Sequence, residues 1–230
     1  MKTMRRLNIF VLPLVSALVV ISAFMIYRQI NTQQKEIKKF DELVEIVEET
    51  SGITEETSEE PKNTESLEQT TKVRNLKPLF ERNDDCIGWI CIPGTNINYP
   101  VMHTPNNPQK YLRKDFDGNY SQSGVPFLDA RCDYESGTAI IYGHNMKNGT
   151  QFSDLKKYLN ADFRSSHSVI EFETKNGVRL FAVISVITTD IYDEIYNQIN
   201  PDDTLMLSTC YGNAKSGRLI IIAKEAKANG

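Results

Sequence analysis

Three side chains of different chemistry stand at the ends of apolar runs: Cys210, His144 and Arg218. Cys210 follows the run Thr204–Ser208 and precedes Tyr211-Gly212. A thiolate is a strong nucleophile, but a free thiol has a pKa of about 8.5 and needs a helpful setting. On local sequence alone, Leu207-Ser208-Thr209-Cys210 reads first as β packing around a buried cysteine. His144 lies in Tyr142-Gly143-His144-Asn145, just past another apolar run. An imidazolium there would stabilise a thiolate and protonate a leaving amine, although a lone loop histidine is more often not catalytic. Arg218 opens the next apolar run, and the seven residues between it and Cys210 can bring that run back beside the thiol. Guanidinium stays charged and donates to an oxyanion; taken alone, an arginine at a strand end would be a solvated cap or an ion-pair partner.

These residues need a rigid frame. Gly88–Ile92, Asn96–Met102, Gly124–Leu128, Thr138–Tyr142, Ile170–Glu173, Val178–Ile187, Thr204–Ser208 and Arg218–Ala223 read as short strands. Asn176-Gly177 is a hairpin signal. Residues 103–123 read largely as loop, a short helix is expected around Leu76, Leu79 and Phe80, and Phe152, Leu155 and Leu159 outline a small amphipathic helix. Many short strands with few helices imply a mostly β fold, a closed or nearly closed barrel.

The ordered words resemble the sortase family, and class B within it. Leu207-Ser208-Thr209-Cys210, the following Arg218 and Tyr142-Gly143-His144-Asn145 are similar to its active-site segments. Ile87–Thr95, Ile97–Val101 and Gly124–Asp129 support the match, which spans roughly residues 74–224. The resemblance implies a closed eight-stranded sortase-like β-barrel with short peripheral helices. It implies Cys210 as nucleophile, His144 as acid/base partner and Arg218 as the cation for substrate or oxyanion. It also implies a sorting signal of the Asn-Pro-x-Thr-x type, ahead of the Leu-Pro-x-Thr-Gly type, joined through its Thr carboxylate to a cell-wall precursor amine. Thr209, Ser208, Tyr142 and Asn145 are expected around the peptide. Three of these have a plainer reading: strand termination for Ser208, core packing for Tyr142 and turn formation for Asn145. The chain departs from the family in one place. Class B members carry a sizeable helix before the cysteine strand, whereas Thr188–Asp203 here has room for one short packed turn or helix.

The N-terminus carries its own message. Ile9–Tyr27 has no charged residue and would span roughly 28 Å as a helix, about the hydrocarbon thickness. Lys2, Arg5 and Arg6 before it favour an N-terminus inside, although basic residues follow as well. Ser22-Ala23-Phe24 is a poor cleavage signal, so an uncleaved anchor is preferred to a signal peptide. The expected organisation is a cytoplasmic tail at 1–8, a single-pass transmembrane anchor at 9–27, a polar acidic stalk at 28–71, an extracytoplasmic catalytic domain at 72–226 and a tail at 227–230. Within the stalk, 28–49 reads as helical, with a weak apolar stripe of Leu43, Ile46 and Val47. The net charge of -4 divides unevenly: +6 over residues 1–40, -9 over 41–72 and -1 over the rest. A near-neutral domain gives no electrostatic case for nucleic acid. Cys86, Cys91, Cys132 and Cys210 have no metal spacing, and His103 and His167 add no metal cluster, so no metal or cofactor is expected. Two alternatives stay open at this stage: a cysteine peptidase that hydrolyses the same bond, told apart by product mass with and without an amine, and a non-catalytic surface binding module, told apart by Cys210→Ala.

Overall fold

The computed structural model describes residues 2–49, 74–135, 137–199 and 203–226. Helix α1 (Lys2–Glu49) runs through Pro13, an interior position where proline has no N–H to donate to the carbonyl four residues before it. By length and composition it can cross a membrane: Pro13–Glu48 contains a window of mean hydropathy 1.6, none of it buried. Half of the expected stalk, residues 50–71, and the tail at 227–230 lie outside the described residues. Two compact units emerge, Met1–Asp41 and Glu42–Gly230. The end of α1 is thus grouped with the second unit. The weak stripe is the reason: Leu43 and Val47 are buried, and the Val47 carbonyl accepts the Asn75 N–H at 3.3 Å.

Eight strands form the second unit: β1 (Cys86–Cys91), β2 (Asn98–Met102), β3 (Phe127–Leu128), β4 (Thr138–Tyr142), β5 (Val169–Thr174), β6 (Gly177–Asp190), β7 (Thr204–Cys210) and β8 (Gly217–Glu225). They close in the order β1-β2-β3-β4-β7-β8-β6-β5. Closure pairs every edge, which a sheet of short strands otherwise leaves exposed. The Asn176-Gly177 signal is the β5–β6 turn, with Gly177 at φ +114. β3 is shorter than the expected Gly124–Leu128. Pro126 has no N–H for a ladder, and the Val125 N–H donates instead to the Tyr111 carbonyl.

Three short elements shape the groove. The loop 103–123 contains a 3-10 helix, Lys110–Arg113. The amphipathic segment Phe152–Leu159 is also 3-10 rather than α, and it buries Phe152, Leu155 and Tyr158 against β7 and β8. Each such burial contributes roughly 1.5–3 kcal/mol as an upper estimate. Between β6 and β7 the described residues hold a single 3-10 helix, Glu194–Asn197, with Tyr196 buried. The short packed turn expected there is what forms, and β6 extends to Asp190 because its end pairs with Gly217 of β8.

Candidate active site

Cys210 is the last residue of β7 and Arg218 the second of β8, and the antiparallel register sets them directly opposite each other. The Tyr211 N–H donates to the Gly217 carbonyl at 3.0 Å and closes the loop behind them. Cys210 is exposed, unlike Cys86, Cys91 and Cys132, which are buried. Burial pushes the Cys86 thiol up to about 12 and raises those of Cys91 and Cys132. The buried-cysteine alternative therefore fits the other three and not Cys210. Arg218 donates through Nη1 to the carbonyls of Lys215 (3.1 Å) and Gly217 (2.8 Å). Among the described residues it has no carboxylate partner.

His144 arrives from β4, the parallel neighbour of β7. Tyr142 pairs with Ser208, the Gly143 N–H donates to the Ser208 carbonyl at 3.1 Å, and His144 follows. Gly143 is required by close approach: a Cβ there would lie 2.5 Å from the Phe152 ring. The Phe152 N–H donates to the His144 carbonyl at 2.9 Å, so the same aromatic residue fixes the main chain on both sides. The imidazole Nε2 lies 2.9 Å from the Leu112 carbonyl. A carbonyl only accepts, so Nε2 carries a proton and Nδ1 is the nitrogen left to exchange one. Burial lowers the His144 pKa from its ordinary value; the Leu112 carbonyl pulls the other way, and Arg113 adds to the lowering.

Cys210, His144 and Arg218 line one groove of about 610 Å³. Of the residues expected around a peptide, Tyr142, Ser208 and Thr209 line it too, and Asn145 does not. Asn145 instead donates its amide to the Cys210 carbonyl at 2.8 Å, pinning the end of β7. Thr209 Oγ1 donates to the Gly143 carbonyl at 2.7 Å, and Ser208 Oγ lies 2.7 Å from the Tyr196 hydroxyl, so both hydroxyls are tied within the protein. His103 and His167 are absent from the lining.

Several groove residues escape sequence reasoning. Leu112 contributes a main-chain carbonyl, which no residue type advertises. Asp129, Arg131 and Tyr196 form a network with Tyr142. The Tyr142 hydroxyl donates to Asp129 Oδ2 at 2.8 Å, and Arg131 clasps both oxygens of Asp129 at 2.9 and 2.8 Å. Burial opposes ionisation of Asp129, but the bonds from Arg131 and Tyr142 together hold its carboxyl below the usual range.

Comparison with known proteins identifies the family and the fold. The family model for the sortase domain matches residues 90–226. Sortase B of Staphylococcus aureus is 30% identical over 215 residues, 76% of this chain and 88% of that protein. The structure of a Staphylococcus aureus sortase B–substrate complex is similar with a TM-score of 0.59 and 28% identity, over 67% of this chain and 85% of that one. A sortase B complexed with triglycine gives a TM-score of 0.56 and 28% identity, over 67% and 86% of the two chains. The chain belongs to the sortase family, its relatives are sortases B, and it is a sortase-type transpeptidase.

Proposed function

We propose that this sortase cleaves a surface-protein sorting signal of the Asn-Pro-x-Thr-x type after Thr and transfers the acyl group to a cell-wall amine. The reading is carried by one observation: Cys210 and Arg218 face each other across β7 and β8 while His144 follows the parallel neighbour of β7 and lines the same groove. A relative held with its substrate and another held with triglycine support a peptide donor and an amine acceptor.

The peptide lies extended in the groove. The Cys210 thiolate attacks the Thr carbonyl carbon, and the carbonyl electrons move to oxygen. Arg218 stabilises that oxyanion, a charge that exists only along the reaction path. Lys215 and Gly217 engage the guanidinium through Nη1, which leaves its Nε and Nη2 donors for the oxyanion. As the tetrahedral state collapses, the C–N bond breaks and imidazolium His144 gives the departing amine its proton from Nδ1. The thioester is then attacked by the acceptor amine, which passes a proton to His144. Cys210 leaves as thiolate and an amide bond forms. Only the imidazolium–thiolate microstate starts this cycle, and burial of His144 disfavours its imidazolium half.

The apolar part of α1 supports a single-pass anchor with the N-terminus inside and the barrel outside, where sorting signals and wall precursors are found. The decisive test offers the catalytic unit a panel of sorting peptides with and without a candidate wall amine and reads product masses. Amide product that depends on both the peptide and the amine supports transfer. Exclusive hydrolysis despite a competent amine overturns it.

A further inference from the structure

Among the described residues between β6 and β7 the groove wall holds one 3-10 helix, Glu194–Asn197, and its rim carries Ile191 and Tyr192, both exposed and both lining the groove. A wall this short must be braced from outside if an extended peptide is to find a groove of fixed width. The Ile191 N–H ties the start of the wall to the Ser216 carbonyl at 3.0 Å, and Arg131 braces its other end. Arg131 sits in the β3–β4 turn. Its Nε donates to Asp129 Oδ1 at 2.9 Å, and its Nη2 donates both to Asp129 Oδ2 at 2.8 Å and to the main-chain carbonyl of Tyr196 at 3.1 Å. Asp129 is fixed in turn by the Tyr142 hydroxyl and by the Arg131 N–H at 3.0 Å. On the far side, the Tyr196 hydroxyl meets Ser208 Oγ at 2.7 Å, two residues before Cys210. The wall is thus tied by its main chain to the β3–β4 turn and by its side chain to the strand that carries the nucleophile.

The geometry points to Arg131 as a positioning residue that braces the Ile191–Asn197 wall and so determines which sorting peptides the groove accepts. An ordinary exposed ion pair is a weak constraint, because solvent screens it and both side chains lose freedom. This pair differs in two respects. Its carboxylate side chain is only 11% exposed while the arginine is 50% exposed. Its guanidinium also spends a third contact on the wall rather than on water. The planar fork is essential: a lysine ammonium is a compact point charge that cannot clasp a carboxylate and reach a carbonyl in one plane. A loosened wall must be ordered by the incoming peptide, and that entropy is drawn from binding rather than from the chemical step. The specificity half of the inference rests on the sorting-peptide reading above; the brace itself does not.

The test compares the wild type with Arg131→Ala and Arg131→Lys. The first readout is hydrogen exchange of the Tyr196 and Gln198 amides, which donate to the Asp193 and Ile195 carbonyls. The second is steady-state turnover of an Asn-Pro-x-Thr-x peptide with an amine acceptor. Both variants are expected to exchange these wall amides at least about tenfold faster while β7 and β8 amides keep wild-type protection. Their KM should rise about tenfold with kcat within about twofold, and Lys should not rescue. Arg131→Lys keeps the charge, so it serves if Arg131→Ala does not fold. Wild-type exchange rates in the wall overturn the brace. Faster exchange with unchanged KM, or a fall in kcat at constant KM, overturns the specificity role. A wild-type enzyme that converts no sorting peptide overturns both the functional reading and the specificity role, while the exchange data still decide the brace.

Discussion

On the proposed mechanism Cys210 carries the reaction and little of the fold, because its side chain is open to solvent at a strand end. Cys210→Ala is therefore expected to abolish peptide conversion while shifting stability by no more than about 0.5 kcal/mol, read by product mass and by thermal unfolding. One equivalent of iodoacetamide at neutral pH should mark Cys210 alone, as peptide mapping will show, since Cys86, Cys91 and Cys132 are buried with raised pKa values. Arg218→Lys keeps a positive charge but loses the fork, so kcat should fall about 10²- to 10³-fold with the fold intact. For His144 the sign follows from burial. Its folded pKa lies below the ordinary value of about 6.5, so on acidification the unfolded chain takes up the proton first. The neutral buried ring therefore costs stability progressively as pH falls from about 6.5 through the folded value. Nuclear magnetic resonance titration of the ring in Cys210→Ala should give a midpoint under about 6.5. A midpoint at or above that value would contradict the burial argument.

At the scale of elements, the loop 103–123 presents the Leu112 carbonyl to His144, and the packing beneath it leaves no slack. Tyr111 is buried, and its hydroxyl donates to Asp85 at 2.8 Å while accepting from the Asn83 amide at 2.9 Å. Gly124, at φ +60, lies so close that a Cβ would fall 2.6 and 2.7 Å from the Tyr111 and Leu112 carbonyl oxygens. The Gln151 amide then holds the Gly124 carbonyl at 3.2 Å and links this loop to the segment after His144. Gly124→Ala should therefore cost roughly 1–3 kcal/mol from strain and crowding, measured by denaturant unfolding. It should also lower kcat by displacing the acceptor that fixes the His144 tautomer. These contacts mark where sequence reading stops. The Cys210–Arg218 pairing is legible because two apolar runs joined by a short turn make antiparallel neighbours. The placement of His144 depends on a parallel pairing between strands far apart in the chain, which no local spacing encodes; only the family resemblance supplied it. The Leu112 contact is invisible because every residue has a carbonyl. Asn145 was legible as a polar residue near the site, but its partner, the Cys210 carbonyl, was not.

At the scale of the whole molecule, the chain joins a helix able to cross a membrane to a barrel unit that begins at Glu42. Length and hydropathy made the helix legible and alternation made the barrel legible. A stripe of two buried residues is too weak a signal to show in advance that the end of α1 packs with the barrel unit. A chain starting at Glu42 should keep the stability of the barrel unit. One starting at residue 72 forfeits the buried Leu43 and Val47, up to about 1.5–3 kcal/mol each, and should melt at lower temperature. The covalent intermediate can be sought by intact-protein mass spectrometry of the Glu42–Gly230 unit mixed with an Asn-Pro-x-Thr-x peptide. The expected product is an adduct equal to the acyl fragment ending in Thr, mapped to Cys210 and discharged by a wall amine. Peptide turnover with no adduct on Cys210, or persisting in Cys210→Ala, would contradict the covalent mechanism.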